Sequence, residues 1–412
     1  MTIDTLAQHA AHPVFDVVDD CLAVDGRKLT EIATDVGRTP FYAYSSTAIS
    51  RQVAALRAAL PREIELHYAI KANPMPAVVR HLAGLVDGLD VASAGELRTA
   101  IEMPLPRAAI SFAGPGKRDE ELAEAAAAGI IVNLESEYEM LRLDAIARRL
   151  NLRPKVAVRV NPDFELKTSG MKMGGGPKQF GVDAERVPDM LRELMHLQLE
   201  FVGFHIFSGS QNLQTAAIDE AQEKTVQLAV RLAEHAPGPV LSLNIGGGFG
   251  IPYFPGESRL DVARIGAHLG TLLPAVRAAL PQAHVIIELG RYLVGEAGIY
   301  VCRVIERKIS RGQVFLVTDG GLHHHLAASG NFGQVLRKNY PVLVGNRVHG
   351  SAREVVSVVG PLCTPLDLLA DRMEMAKADA GDLIVVLQSG AYGLTASPIH
   401  FLSHPAPQEI LL

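Results

Sequence analysis

Between residues 45 and 290 the sequence alternates between short β-branched runs and longer amphipathic runs rich in Ala and Leu, and this alternation limits the possible folds more than any other feature. The strand-like runs are IELHYAI (64–70), GLDVA (88–92), AAISFA (108–113), IIVN (130–133), KVAVRV (155–160), LEFVGFHIF (199–207), LSLNI (241–245) and HVIIEL (284–289). Helical patterns lie between them. One begins at Ser45 or Ser46 as N-cap and sets Ile49, Val53, Leu56 and Leu60 on one face. Eight strand–helix units in about 245 residues is the arithmetic of a (β/α)8 TIM barrel, although a doubly wound sheet gives the same alternation. Beyond 290 the texture changes. VCRVIERKI, QVFLVTDG, YPVLVG, REVVSVVGPLC and DLIVVLQ read as strands, with helical periodicity only near 366–376. VFDVV, LAVDG and FYAYS, before residue 45, also read as strands. The expected organisation is therefore an α/β barrel over 45–290 and a β domain, barrel or sandwich, from 1–44 and 291–412.

Composition removes several classes of function. With 48% apolar residues among 412, a large core is available. A net charge of −6 argues against a nucleic-acid binder, which needs a basic face. No apolar run reaches the ~18–20 residues of a membrane span, and the N-terminus lacks the basic and apolar regions of a signal peptide. A cytoplasmic location is expected. The three cysteines, Cys21, Cys302 and Cys363, are odd in number and widely separated, which suits neither a disulfide framework nor a zinc site. His323, His324 and His325 are adjacent; on an extended strand they face opposite ways, so no metal is expected.

Barrel chemistry gathers at the C-terminal ends of the strands. There the sequence places Lys71 after the first strand, Asp90 in the second and His205 in the sixth. Gly246, Gly247 and Gly248 follow the seventh, and Glu288 and Arg291 close the eighth. Glycines directly after a strand let backbone N–H groups crowd an anion, and barrel phosphate sites often use the loops after strands seven and eight. The plain alternative for the glycines is a flexible turn, and for Lys71 a solvated surface amine. A lysine at the mouth of a core is also a nucleophile for a carbonyl. A phosphate site, a Schiff-base lysine and a carboxylate for a pyridinium nitrogen together meet the needs of pyridoxal 5'-phosphate.

At these residues the sequence resembles the fold-type III pyridoxal-phosphate-dependent decarboxylases, the group of diaminopimelate, ornithine and arginine decarboxylases, whose barrel is alanine-racemase-like. HYAIKANP resembles the Schiff-base motif, which implies that Lys71 carries the cofactor. LDVASAGEL resembles the second-strand motif, with Asp90 supporting the lysine region. FHIFSGSQ implies that His205 stacks on the cofactor ring and that Ser208 lies near the phosphate. GGGFG would be the phosphate loop. ELGR implies Glu288 at the pyridine nitrogen and Arg291 near the phosphate. GPLC implies that Cys363 enters a neighbouring subunit's site in a homodimer and returns a proton to the product. GAY supplies Tyr392 as a further phosphate contact. The implied activity is α-decarboxylation of an amino acid or a derivative, with CO2 leaving from a Schiff base of the substrate.

The sequence departs from this pattern at the substrate end. Thr364-Pro365-Leu366 follows Cys363 where relatives carry an acid, and Asp367 comes three positions later than that acid. Arg337 stands in for an unclear arginine pattern. The segment 164–183, ending KQFGVD, resembles the substrate loop of the diaminopimelate branch. The ending AxSxxxFLSHP resembles decarboxylases associated with exosortase clusters and those acting on glutamyl units tethered to an acyl carrier protein. Ordinary diaminopimelate decarboxylation is the alternative. Racemases place an arginine at the ring nitrogen, unlike Glu288, and a regulatory homologue without cofactor would not need to keep Lys71, His205 and Cys363.

Overall fold

The computed structural model describes residues 9–10, 12–165, 171–172, 174–334 and 337–412. They divide into two compact units, one of Gln52–Ile251 with Leu260–Gly290, the other running up to Arg51 with Pro252–Arg259 and Arg291–Leu412.

The first unit is a closed parallel barrel. Its strands are β1 (Ile64–Ala69), β2 (Gly88–Val91), β3 (Ile110–Phe112), β4 (Ile131–Leu134), β5 (Lys155–Asn161), β6 (Glu200–Ile206), β7 (Ser242–Gly247) and β8 (His284–Leu289). Each pairs in parallel with the next, β8 with β1, and the ring closes. The barrel reading of the alternation therefore holds, and the doubly wound sheet is excluded. Helices lie between the strands, and their starts are written in the sequence. Ser93 and Ser136 accept bonds from Glu96 N (3.2 Å) and Glu139 N (3.1 Å), closing free N–H groups of the first turn. The helix Ser46–Ala59 is capped by Ser45, whose Oγ accepts from Ala48 N at 2.9 Å, and Ile49, Val53, Leu56 and Leu60 are all buried.

The second unit is mostly sheet. Gly298–Ser310 pairs antiparallel with Gln313–Thr318 and, near its start, with Phe41–Tyr44 and Leu383–Val386. Phe41–Tyr44 also pairs in parallel with Gln408–Leu411, so strands from both chain ends meet there. Its core includes Leu29, Ile32, Phe41, Ile299, Val301 and Val385. Two expectations are corrected here. The helical period near 366–376 belongs to a strand, Leu368–Ala376, paired antiparallel with Arg353–Val359; cross-strand hydrogen bonds override the weak local periodicity. The three histidines do not lie on an extended strand. His324 N and His325 N both donate to Gly321 O at 3.0 Å in a turn, and the rings of His323 and His324 lie 3.6 Å apart. No described helix is long and apolar enough to cross a membrane.

Candidate active site

Each barrel strand carries a buried polar side chain: His67, Asp90, Ser111 and Asn133 on β1 to β4, then Arg159 (with Asn161), His205, Asn244 and Glu288 on β5 to β8. Such groups are costly inside a core unless they are paired or used.

Lys71 follows β1 in a short 3-10 turn that KANP shapes. Tyr68 OH donates to Asn73 O (2.9 Å), and Asn73 Oδ1 accepts from Met75 N (3.1 Å). The Lys71 amine is half-exposed and lies 3.4 Å from Glu288 Oε1. On the other Glu288 oxygen, His205 Nε2 approaches to 3.2 Å. Burial opposes ionisation of Glu288, but Lys71, His205 and Arg159 outweigh it and hold the carboxyl well below the usual carboxylate range. Beyond that approach to Glu288, neither ring nitrogen of buried His205 has a well-formed hydrogen bond.

The glycine run after β7 is a constructed loop. Gly246 and Gly248 have φ of +70° and +71°, and Asn244 Oδ1 accepts from Gly246 N at 2.8 Å. A Cβ at Gly248 would come within 2.1 Å of Gly209 O, and one at Gly247 within 2.3 Å of Glu288 O. Beside this loop a small cavity is lined by Ser208, Gly209, Asn212, Gln222 and Gly247. Asn212 Nδ2 and Gln222 Oε1 there are buried and have no partner. The recess thus holds one unsatisfied donor, Asn212 Nδ2, and one unsatisfied acceptor, Gln222 Oε1.

Asp90 lies on β2 in the barrel interior. Its described contacts are Ser111 Oγ, which donates at 2.5 Å, and His67 Nδ1 at 3.4 Å. Arg159 escaped the sequence reading. It donates to Glu135 Oε1 (2.6 Å), lies over the Phe180 ring (5.0 Å) and adds positive charge towards Glu288. Its signal was a cation at an alternate position of the apolar run KVAVRV. Residues 166–170 and 173 of the expected substrate loop lie outside the described residues.

In the other unit, half-buried Arg291 lies between Tyr253 (5.4 Å) and Tyr392 (4.6 Å), and its Nη1 donates to Tyr253 OH at 3.0 Å. Among the described residues no carboxylate pairs with it, so it retains the capacity to hold an anion. Cys363 is exposed, whereas Cys21 and Cys302 are buried. Thr364 closes the same turn through N–H to Leu362 O (2.8 Å).

Two expected substrate contacts are corrected. Asp367 is 3% exposed, and its oxygens accept from Leu322 N (2.6 Å) and Leu362 N (2.8 Å). A Cβ at Gly321 or Gly360 would strike that carboxylate, so the glycines of DGG and GPLC make room for it. Arg337 donates to Ser329 O and to Leu368 O, the latter at 2.6 Å. Asp367 is taken up by backbone N–H groups and Arg337 Nη1 and Nη2 by backbone carbonyls, while Arg337 Nε has no partner among the described residues.

Residues 46–295 match the family model of the pyridoxal-dependent decarboxylase pyridoxal-binding domain. The chain belongs to the pyridoxal-phosphate-dependent decarboxylases. This decarboxylase is 39% identical to the L-glutamyl-[BtrI acyl-carrier protein] decarboxylase of Niallia circulans over 90% of this chain and 88% of that protein. It is 33% identical to the diaminopimelate decarboxylase of Aquifex aeolicus over 97% and 93%. In structure it is similar to the diaminopimelate decarboxylase of M. jannaschii in complex with L-lysine, with a TM-score of 0.89, 26% identity and coverage of 97% and 93%. The enzyme is a carboxy-lyase that uses pyridoxal phosphate. The residues fit that group: an amine beside an ionised carboxylate, an imidazole without hydrogen-bond partners, and a glycine loop beside an unsatisfied polar recess.

Proposed function

We propose that this decarboxylase acts on an amino-acyl group carried by an acyl carrier protein, with Lys71, His205 and Glu288 as the centre of its site. The convergence of those three side chains carries the assignment of roles. Bound pyridoxal phosphate supplies the electron sink for the carbanion left when CO2 departs. Lys71 is the covalent anchor. Glu288, ionised in its buried position, holds a proton at the ring nitrogen. His205, beside Glu288 at 3.2 Å, would lie against the bound ring, as the FHIFSGSQ motif implies. Ser208 and the backbone N–H groups of Gly246, Gly247 and Gly248 would hold phosphate oxygens; for Arg291 and Tyr392 a phosphate role is what the ELGR and GAY motifs imply. Cys363, exposed in the other unit, returns a proton to the product carbon.

The carrier-bound substrate is supported by two observations. The loop after Cys363 offers no free acid for a distal ammonium, because Asp367 is buried and occupied by Leu322 N and Leu362 N. A relative that is 39% identical carries the name of a decarboxylase of carrier-bound glutamate. The test is CO2 release from carrier-bound aminoacyl substrates against free diaminopimelate, ornithine, lysine and glutamate. Turnover only of the carrier-bound form is expected, and rapid turnover of free diaminopimelate overturns this reading. For a homodimer with shared sites, mixing Lys71→Ala with Cys363→Ala subunits restores part of the activity; no recovery at any ratio rejects shared sites.

A further inference from the structure

A string of polar side chains crosses one half of the barrel interior, and the roles assigned above leave most of it unused. Asn133 Nδ2 donates to Ser111 Oγ at 3.0 Å, Ser111 Oγ to Asp90 Oδ1 at 2.5 Å, and His67 Nδ1 lies 3.4 Å from Asp90 Oδ2. The string ends on His67, which is 4% exposed. β1 sits between β2 and β8, and across the β8 pairing the Cα partner of His67 is Glu288. Register partners in a parallel pair project to the same face, so the two side chains share the barrel interior. His67 Nε2 has no hydrogen-bond partner and borders a small interior cavity with Asp90, Ser111, Asn133 and Asn244. The sequence makes room for this ring. A Cβ at Gly88, which opens β2, would come within 2.3 Å of His67 Nε2.

The charged groups facing His67 are Asp90 on β2, Glu288 on β8 and Glu65 on its own strand. Lys71 after β1, His205 on β6 and Arg159 on β5 act on Glu288. Burial opposes a charge on the imidazole, but Asp90 above all, then Glu65 and Glu288, raise it above the ordinary histidine value. Lys71 cannot serve Glu288 as a free ammonium once its nitrogen is bonded to the cofactor. The cationic support for Glu288 must then come from groups that stay in place.

We propose that His67 is a positioning residue for Glu288, an imidazolium fixed by Asp90 that keeps the Glu288 carboxylate ionised and aimed from the neighbouring strand. The proposal rests on the reading of Glu288 as the partner of the ring nitrogen.

The experiment records the visible absorbance of the holoenzyme against pH, together with kcat and KM, for wild type, His67→Gln and Glu288→Gln. Glutamine keeps a hydrogen bond to Asp90 and removes the charge. Losing a nearby cation makes Glu288 easier to protonate. The midpoint of the acid-side spectral change and the acid limb of kcat are therefore expected to move up by about one pH unit in His67→Gln, with KM unchanged. In parallel, [15N]histidine spectra of wild-type holoenzyme should show a doubly protonated ring at neutral pH, assigned as the signal missing from the variant. If His67→Gln does not fold, His67→Gln/Asp90→Asn leaves no lone buried charge and serves instead. A neutral His67 ring at neutral pH overturns the proposal. So does an unmoved midpoint while Glu288→Gln changes the spectrum. A Glu288→Gln enzyme with wild-type spectrum and kcat shows instead that the reading of Glu288 has failed, and the role of His67 fails with it.

Discussion

Both units bury histidines, but they do so in opposite ways. In the barrel, His67 lies against Asp90 and His205 against Glu288, beside two ion pairs in which buried cations meet buried acids. Lys117 pairs with Glu139 at 2.9 Å and Arg159 with Glu135 at 2.6 Å, all four nearly inaccessible. In the other unit, His323, His324 and His325 sit among Tyr42, Tyr300 and one another, and their described contacts include no carboxylate. His325 Nε2 shares a bond with Ser389 Oγ at 2.9 Å, and His324 Nε2 reaches Pro405 O at 3.0 Å. Burial pulls these three down to about 3, 4 and 3 in chain order. The ring is thus held neutral at 323–325, where hydroxyls and carbonyls surround it, and favoured as a cation at His67, where Asp90 is its neighbour. The contrast lies in these buried clusters: one pairs buried ionisable groups with acids, the other packs three neutral imidazoles among tyrosines.

The largest expected effect is on catalysis, in the unit outside the barrel. Cys363→Ala should lower kcat by about 10²–10⁴-fold through slower proton return, while the visible spectrum of the bound cofactor stays as in wild type. On stability, Lys117→Met leaves Glu139 buried alone and should cost about 3–5 kcal/mol in denaturant unfolding, most of it recovered in Lys117→Met/Glu139→Leu. A single variant within 1 kcal/mol of wild type, on the order of a surface pair, would erase the contrast between the units.

The next effect is a pH slope of opposite sign in the two units. His325 has a folded-state value depressed from 6.5 to about 3. Its contribution is complete above 6.5 and is lost progressively as pH falls from there towards 3, at roughly 1.4 kcal/mol per pH unit. His325→Gln should flatten this limb of the stability curve; an unchanged slope would mean that the ring is not buried neutral. His67, raised by Asp90, works the other way. Its contribution is present below 6.5 and lost as pH rises through the raised value, so His67→Gln should remove a loss of stability on the alkaline side. The smallest effect is Ser136→Ala, which frees Glu139 N at a helix start and should cost about 1 kcal/mol with little pH dependence.

Much of this was legible in the sequence because the signals were local. The strand runs, the Ser45 cap and the face through Ile49, Val53, Leu56 and Leu60 depend on neighbours within a few residues. The glycine loop after β7 was readable because only glycine tolerates the positive φ of Gly246 and Gly248. Leu368–Ala376 was not, because its state depends on a partner strand that arrives from elsewhere. Asp367 and Arg337 looked like substrate groups by type and position. Only the fold shows that backbone N–H and C=O groups already occupy them. Arg159 and His67 were hidden for the converse reason: a single polar residue in an apolar run has no meaning until the run has a face.

By itself the sequence determined the order of the elements, the family, and the residue types available for the chemistry, because propensity, patterning and motif spacing are properties of the chain. The tertiary structure alone decided which charges meet. Lys71, His205 and Glu288 come from strands far apart in sequence, and His67 becomes a neighbour of Glu288 only when β8 closes on β1. Coulomb interactions act through distance in space and local dielectric, and neither exists for this chain until it has folded.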